Sequence, residues 1–269
     1  MMRVLPLVAI LGTTVGLLIG PVCVLGQPTL SSHQFDSAWN ILLTTWYPRA
    51  IDPVYGGYFA NFNDDWTPAD PQDKMIVTQA RHLWMTTQAA QRYPEKLQYD
   101  RAAHVGFAFL RDYLWDKAHG GFRWRVDRAG GGLPENPADR VMSTYGHAFG
   151  IYALAAYARY RDNKKSRIIA RRAFRWLEEH AHDNVHGGYF AALTEAGQPV
   201  DAAWIAQHGL PRAGYKDQNT SIHLLEAFTE LYPMENDPRV RRRLQEMPTL
   251  VRDTMVSERG YLRLYFYPD

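Results

Sequence analysis

Cysteine is almost missing from this chain: one, Cys23, stands among 269 residues. A lone thiol cannot close a disulfide within the chain. It also lies inside an apolar leader, so a chain cleaved after the leader would hold no thiol, and thiolate catalysis is excluded with it. An excess of one charge is missing as well. Thirty Lys and Arg against 28 Asp and Glu leave a formal net charge of +2, and the longest basic run is Arg241-Arg242-Arg243. A triplet in a helical context is expected to be a solvated face, which argues against a nucleic-acid partner. There is no low-complexity tract, no glycine-rich phosphate loop and no nucleophile elbow.

What is present begins with that leader. Arg3 is followed by an uncharged stretch from Val4 to Gly26, broken by Pro21, and Val24-Leu25-Gly26 precedes Gln27. This resembles a secretory signal peptide, which predicts a leader over 1–26, a repeat domain over 27–269 and a secreted or periplasmic protein. An uncleaved membrane anchor is the rival, because the stretch is just long enough to span a bilayer. The whole sequence is 46% hydrophobic and 13% aromatic, enough for a sizeable core. Eight Trp and 16 Tyr also supply flat faces of the kind that stack on sugar rings.

A phrase recurs along the chain. Asp52-Pro-Val-Tyr-Gly-Gly-Tyr-Phe59 returns as Asp116-Lys-Ala-His-Gly-Gly-Phe122, then as Asp183-Asn-Val-His-Gly-Gly-Tyr-Phe190, with a worn copy at Arg259-Gly-Tyr-Leu262. Gly56, Gly120, Gly187 and Gly260 mark the four copies at a nearly even interval that lengthens slightly along the chain. Such a period marks a repeat architecture. Helical spacing precedes each phrase at about 33–47, 99–115 and 166–179, and a second helix follows at about 72–93, 140–161 and 216–232. The 238–255 helix offers Val240, Leu244, Met247 and Val251 as an apolar edge. The expected fold is all-α, with helix pairs curling into an α/α toroid. The helix after each phrase is expected to line the axis, and the other to face solvent.

The glycines serve as a ruler. Arg81 stands as far past Gly56 as Tyr145 stands past Gly120. Asn219 stands further past Gly187, the excess being an insertion around Ala202 to Gly214. This count predicts that Arg81, Tyr145 and Asn219 hold similar places on successive inner helices and converge on one axial pocket.

Three segments carry a resemblance. They are Lys74-Met-Ile-Val-Thr-Gln-Ala-Arg81-His-Leu-Trp84, Tyr145-Gly-His-Ala-Phe149-Gly-Ile-Tyr-Ala-Leu154 and Lys216-Asp-Gln-Asn219-Thr-Ser-Ile-His223-Leu-Leu-Glu226-Ala-Phe. In this order they are similar to the inner-helix motifs of the N-acylglucosamine 2-epimerase and cellobiose 2-epimerase family. The resemblance covers about residues 33–267. It implies an (α/α)6 barrel that epimerises or isomerises free mono- or disaccharides without a cofactor. At about 65 residues per pair the chain holds roughly three and a half pairs. It resembles a C-terminally truncated member, since the later pair of acid–base histidines lies beyond Asp269.

Epimerisation at C2 needs ring opening, a base for the proton beside the carbonyl, a donor for the enediolate and an acid to return the proton. The resemblance gives His223 the ring opening, Arg81 the carbonyl oxygen, Tyr145 and Asn219 the sugar hydroxyls, and Glu226 and Trp84 a place against the substrate. Asn219, His223 and Glu226 share one helix stripe. Plainer roles stay open for each. His223 could be an ordinary core or surface histidine, Arg81 could pair with Asp73, Tyr145 could pack beside Phe149, Asn219 could be a helix-start residue, and Trp84 could merely pack. His82 and His147 point away from their motif neighbours. His180, His182 and His186 cross a helix end with no carboxylate pattern, so no metal is expected. Two other readings remain. One is a glycoside hydrolase of similar architecture using two of Asp73, Asp139 and Asp217, with carboxylates about 5–9.5 Å apart. The other is a non-catalytic sugar-binding repeat protein.

Overall fold

The computed structural model describes residues 31–132, 140–207 and 214–267. The leader and Asp139 lie outside them. The chain divides into two compact units, Met1–Asn40 and Ile41–Asp269. The described part of the first is residues 31–40, which open helix α1 (Ser32–Trp46). The second unit holds the remaining helices: α2 (Ile76–Arg92), α3 (Leu97–Phe109), α4 (Thr144–Arg161), α5 (Lys164–Trp176), α6 (Ala202–Gln207), α7 (Gln218–Glu235) and α8 (Pro238–Leu250). A π-helical turn closes α3, α5 and α8, at Leu110–Leu114, Leu177–Ala181 and Val251–Met255. No described helix is long and apolar enough to cross a membrane.

Helix α4 packs between α2 and α7, and α3, α5 and α8 back onto α2, α4 and α7 in turn. The middle position of α4 follows from its composition. Ala148, Gly150, Ala153, Ala155, Ala156 and Ala158 are all buried, and small residues on every face let neighbours approach from both sides. In α5, by contrast, Ile169, Ala170, Ala173 and Phe174 make one apolar stripe opposite exposed arginines. Within the second and third pairs the link is two residues long. Asp162 and Asn236 end α4 and α7 in the left-handed region (φ 45° and 47°), and Asn163 and Asp237 then cap the next helix through Ser166 N–H and Arg239 N–H.

Each Gly-Gly phrase is a tight turn held by its first residue. Asp52 Oδ1 accepts the Val54 and Tyr55 N–H groups, Asp116 those of Ala118 and His119, and Asp183 those of Val185 and His186. Gly56, Gly120 and Gly187 follow at φ 73°, 81° and 74°, where a side chain would be strained. In two repeats a buried lysine locks the turn. Lys74 Nζ reaches Asp52 Oδ2 at 3.0 Å and the Gly56 carbonyl at 2.6 Å, and Lys216 Nζ reaches Asp183 Oδ2 at 2.7 Å and the Gly187 carbonyl. The second repeat has Met142 in that place, and Asp116 meets His119 and Arg123 instead.

The aromatic residue after each turn is buried by the following helix pair. Tyr58 is fully buried, and its hydroxyl donates to the Ala102 carbonyl at 2.7 Å. Tyr58→Phe should therefore lower stability by about 0.5–1.5 kcal/mol in a denaturant titration. Phe122 and Tyr189 are each 1% exposed in the same place, whereas Leu262 in the fourth copy is 40% exposed, with Tyr261 and Leu264 beside it. The apolar edge expected on the last helix is different in fact: Val240 and Met247 are buried in the main core, and Leu244 packs against it.

The arginine triplet is not wholly solvated either. Arg243 makes a bidentate pair with Glu178 and a further bond to Glu246, while Glu246 accepts the Gly188 N–H at 2.6 Å and faces His182 Nε2 at 3.1 Å. Burial pushes the Glu246 carboxyl up, but the His182, Gly188 and Arg243 contacts outweigh it and hold the pKa at about 2. A depressed carboxylate contributes stability above its unfolded pKa, and that contribution is lost as pH falls through the folded one. Stability to urea should thus decline between pH 4.5 and about 2. Glu246→Gln should flatten that decline while lowering stability at pH 7 by about 2 kcal/mol.

Candidate active site

Three antiparallel ladders, two residues a side, set the phase of the inner helices. Lys74 pairs with Val126, Met142 with Leu193 and Lys216 with Phe266. Each joins the strand entering one inner helix to the strand after the next Gly-Gly turn. Lys74, Met142 and Lys216 are therefore equivalent, two residues ahead of α2, α4 and α7. Seven residues on stand Arg81, Phe149 and His223, three on stand Val77, Tyr145 and Asn219, and ten on stand Trp84, Tyr152 and Glu226.

This corrects the count from the glycines. Arg81 is not equivalent to Tyr145 and Asn219 but lies one helical turn beyond them. The stretch from glycine to ladder is shortest in the first repeat (Gly56 to Lys74), longer in the second (Gly120 to Met142) and longest in the third (Gly187 to Lys216), so the second loop also carries extra length. Offsets of three, seven and ten residues nevertheless share one face of a helix, but the three residues do not line the single pocket expected of them: Arg81 lines one cavity, Tyr145 and Asn219 another.

The middle layer meets in space. The Arg81 guanidinium lies 4.7 Å from the centre of the buried Phe149 ring, and the His223 ring lies 4.6 Å from it. Tyr145 presents its edge to both, at 5.0 Å from Phe149 and 5.4 Å from His223. His223 is pinned from its own helix: Nδ1 and Glu226 Oε2 are 2.7 Å apart. In the third layer Trp84 stacks on Tyr152 at 5.0 Å, and its indole N–H has no protein partner among the described residues. Burial, then the Glu230 and Glu226 carboxylates, push the Tyr152 hydroxyl well above the usual range.

Two cavities adjoin these layers. One of about 410 Å³ opens at the start of α4 and α7, lined by Trp124, Tyr145, Trp204, Tyr215, Asn219 and Tyr265. The 202–214 insertion contributes Trp204 from the short helix α6. The second, about 450 Å³, has Arg81 in its wall with Trp46, Tyr47 and Val77. Tyr145 and Asn219 thus share one cavity and Arg81 lines the other, with Phe149 touching both Arg81 and Tyr145.

The rival residues have structural partners. Asp73 faces Arg125 at 3.5 Å, and Asp217 caps α7 through the Thr220 N–H. His82 meets the Tyr47 hydroxyl at 2.7 Å, while His147 accepts the Phe122 N–H and bonds the Ser143 carbonyl. His180 rests against Trp176, His182 faces Glu246 and His186 faces Asp183, so that histidine cluster disperses. Among the described residues no three His, Cys, Asp or Glu side chains are grouped to hold a metal. Phe149 and Tyr152 belong to the layers too; in the sequence their spacing of four and seven from Tyr145 marks them as one face of an inner helix, though only Tyr145 is read there as a site residue.

Known proteins resemble this chain in sequence and fold. The profile of the N-acylglucosamine 2-epimerase (GlcNAc 2-epimerase) family matches residues 57–268. The cellobiose 2-epimerase of Bacteroides fragilis is 27% identical over 229 residues, covering 85% of this chain and 56% of that protein. That of Ruminococcus albus is 29% identical over 216 residues, covering 80% and 53%. The chain thus spans about half the length of the curated relatives it matches. The solved cellobiose 2-epimerase of Spirochaeta thermophila is 32% identical with a TM-score of 0.76, covering 87% of this chain and 57% of that one. The helix pairs are accordingly those of an (α/α)6 barrel fold. With the family pattern running from the first Gly-Gly turn to the last ladder, the chain belongs to the N-acylglucosamine 2-epimerase family.

Proposed function

We propose that this chain supplies the ring-opening and carbonyl-binding groups of a sugar 2-epimerase or aldose–ketose isomerase acting on free mono- or disaccharides. The observation that supports it best is that a guanidinium on α2 and an imidazole on α7, at equivalent positions of their helices, both lie against the Phe149 ring of the helix between them. The imidazole suits proton transfer near neutral pH. The guanidinium keeps its charge and suits the enediolate oxygen that develops once the C2 proton leaves. Tyr145 and Asn219 would hold sugar hydroxyls from the cavity at the start of α4 and α7, whose aromatic walls suit the flat faces of a pyranose. Residues 1–26 would direct export and be removed, and a mass of the exported protein that begins at Gln27 would bear this out.

The test is ligand-detected NMR with mannose, glucose, N-acetylglucosamine and cellobiose. At least one should bind, and Arg81→Ala should weaken it. Binding of none would sink the reading. Proton exchange at C2 in deuterated water separates this reading from a glycoside hydrolase, which leaves that proton in place.

A further inference from the structure

We propose that a cavity between the second Gly-Gly turn and the outer helix α5 is a binding site for a phosphate group, whatever the axial groups do. It holds about 260 Å³ and takes in Lys117, His119 and Gly120 from the turn, and Arg172, Arg175 and His180 from α5 and the π-helical turn that closes it. None of these residues lines either axial cavity. Lys117, Arg172 and Arg175 make no hydrogen bond and no ion pair among the described residues. Glu179 is the one carboxylate in the lining. With both histidines neutral, three cations against one carboxylate leave a local charge of +2. The nearby acids are taken up elsewhere. Asp112, which Lys117 influences at longer range, is held by Arg111, and Asp116 meets His119 and Arg123.

The third repeat shows what this position accepts. Helices α5 and α8 match from cap to π-helical turn, Asn163 with Asp237 and Leu177 with Val251, so Arg172 stands where α8 has Glu246. There the Glu246 carboxylate lies against the Gly-Gly turn, accepts the Gly188 N–H and meets Arg243 and His182. The third repeat thus carries an oxyanion of its own. In the second repeat the equivalent N–H, that of Gly121, has no acceptor among the described residues. Ile169 and Trp115 stand in the places of Arg243 and His182, while Arg172, Arg175 and Lys117 stand in those of Glu246, Thr249 and Asn184. The carboxylate is gone and the cations face the space it would fill. A ligand carboxylate brings a single charge. A phosphate monoester carries about −1.5 to −2 at pH 7 with three acceptor oxygens, which suits a local +2 and two guanidinium forks. The aromatic faces are already used: Trp176 stacks on His147 at 4.4 Å, and Trp115 meets Phe122 at 5.1 Å. The cavity therefore selects for the phosphate and not for a ring attached to it.

Titration of the 269-residue chain with inorganic phosphate, by calorimetry and tryptophan fluorescence at constant ionic strength, tests this. Saturable binding of one phosphate is expected. Glucose 6-phosphate should compete for the same site, and glucose should not. Tighter binding of glucose 6-phosphate than of phosphate would make a phosphorylated sugar the ligand, and equal binding would make it free phosphate. Arg175→Ala should weaken binding about tenfold or more, as for one lost charge-assisted hydrogen bond. Arg172→Glu should abolish it, because that substitution gives the second repeat the carboxylate that Glu246 gives the third. Arg172→Gln, which brings no charge, should only weaken it, and denaturation midpoints report the folding of each variant. Arg241→Ala, on the exposed side of α8, and Arg81→Ala, in the axial layers, should leave the affinity unchanged. No saturable binding, undiminished affinity in Arg172→Glu, or loss of binding in Arg81→Ala would overturn the proposal.

Discussion

Lys216→Met should lower the stability of the chain by about 3–5 kcal/mol, the range for removing one partner of a buried ion pair. Lys216 is 1% exposed and Asp183 is 6% exposed. Burial favours a neutral Asp183, yet the Lys216 ammonium and the His186 and Val185 N–H groups hold the carboxyl well below the usual carboxylate range. Without Lys216 that charge keeps its backbone bonds but loses its buried cation. The chain contains its own control, because Met142 occupies the equivalent place in the second repeat. There Arg123 stands where the other two repeats have Phe59 and Phe190, and its Nε lies 3.8 Å from Asp116. The cation has moved to another side chain and still serves the same aspartate. The double variant Lys216→Met/Phe190→Arg should therefore recover more than half of the loss. A double-mutant cycle in urea measures this coupling, and simple additivity would refute it. The sign of the pH dependence follows as well. A carboxyl with a depressed folded pKa contributes above its unfolded value, so the gap between Lys216→Met and wild type should narrow as pH falls below about 4.

Arg81→Ala should lower kcat/KM about 100- to 1,000-fold in a polypeptide performing the proposed reaction, or about 2.7–4 kcal/mol, as for the loss of one oxyanion donor. The loss should be equal on a cyclic sugar and on a ring-opened analogue, since the enediolate forms from either. His223→Ala should differ, hurting the cyclic sugar more because the analogue needs no ring opening. Equal losses for His223→Ala on both substrates would remove ring opening from its role. A wild-type rate for Arg81→Ala would remove the guanidinium from the chemistry and leave it as a cation packed on Phe149.

The helix pairs are legible in the sequence because two periodicities speak together. Apolar spacing marks the helices, and the repeated glycines mark turns that need positive φ. The candidate site residues are legible as types, through their motifs. Their register is not. The ladders that set it are two residues long and carry no pattern of their own, and loop length differs in every repeat. A count from the glycines therefore slips by one helical turn between Arg81 and Tyr145. Lys74 and Lys216 escape notice because lysine belongs on the surface by default. The recoverable clue is positional: each stands two residues before an inner helix and follows a phrase that begins with Asp. Arg243 is hidden for a similar reason. Its neighbours Arg241 and Arg242 are exposed, while the helix turns Arg243 inward toward Glu178.

The ladders have a consequence for how such a chain can diverge. They separate the length of a connection from the phase of the helix that follows. Three connections of different length run from Gly56, Gly120 and Gly187 to their strands, and the residue seven places past the strand still arrives at the same height on the same side. Insertion and deletion there are nearly free of effect on the axial groups, while they rebuild the rim above them, as α6 does with Trp204 at its cavity. New substrate preferences could therefore accumulate by lengthening connections, without any change to the side chains proposed to carry the reaction.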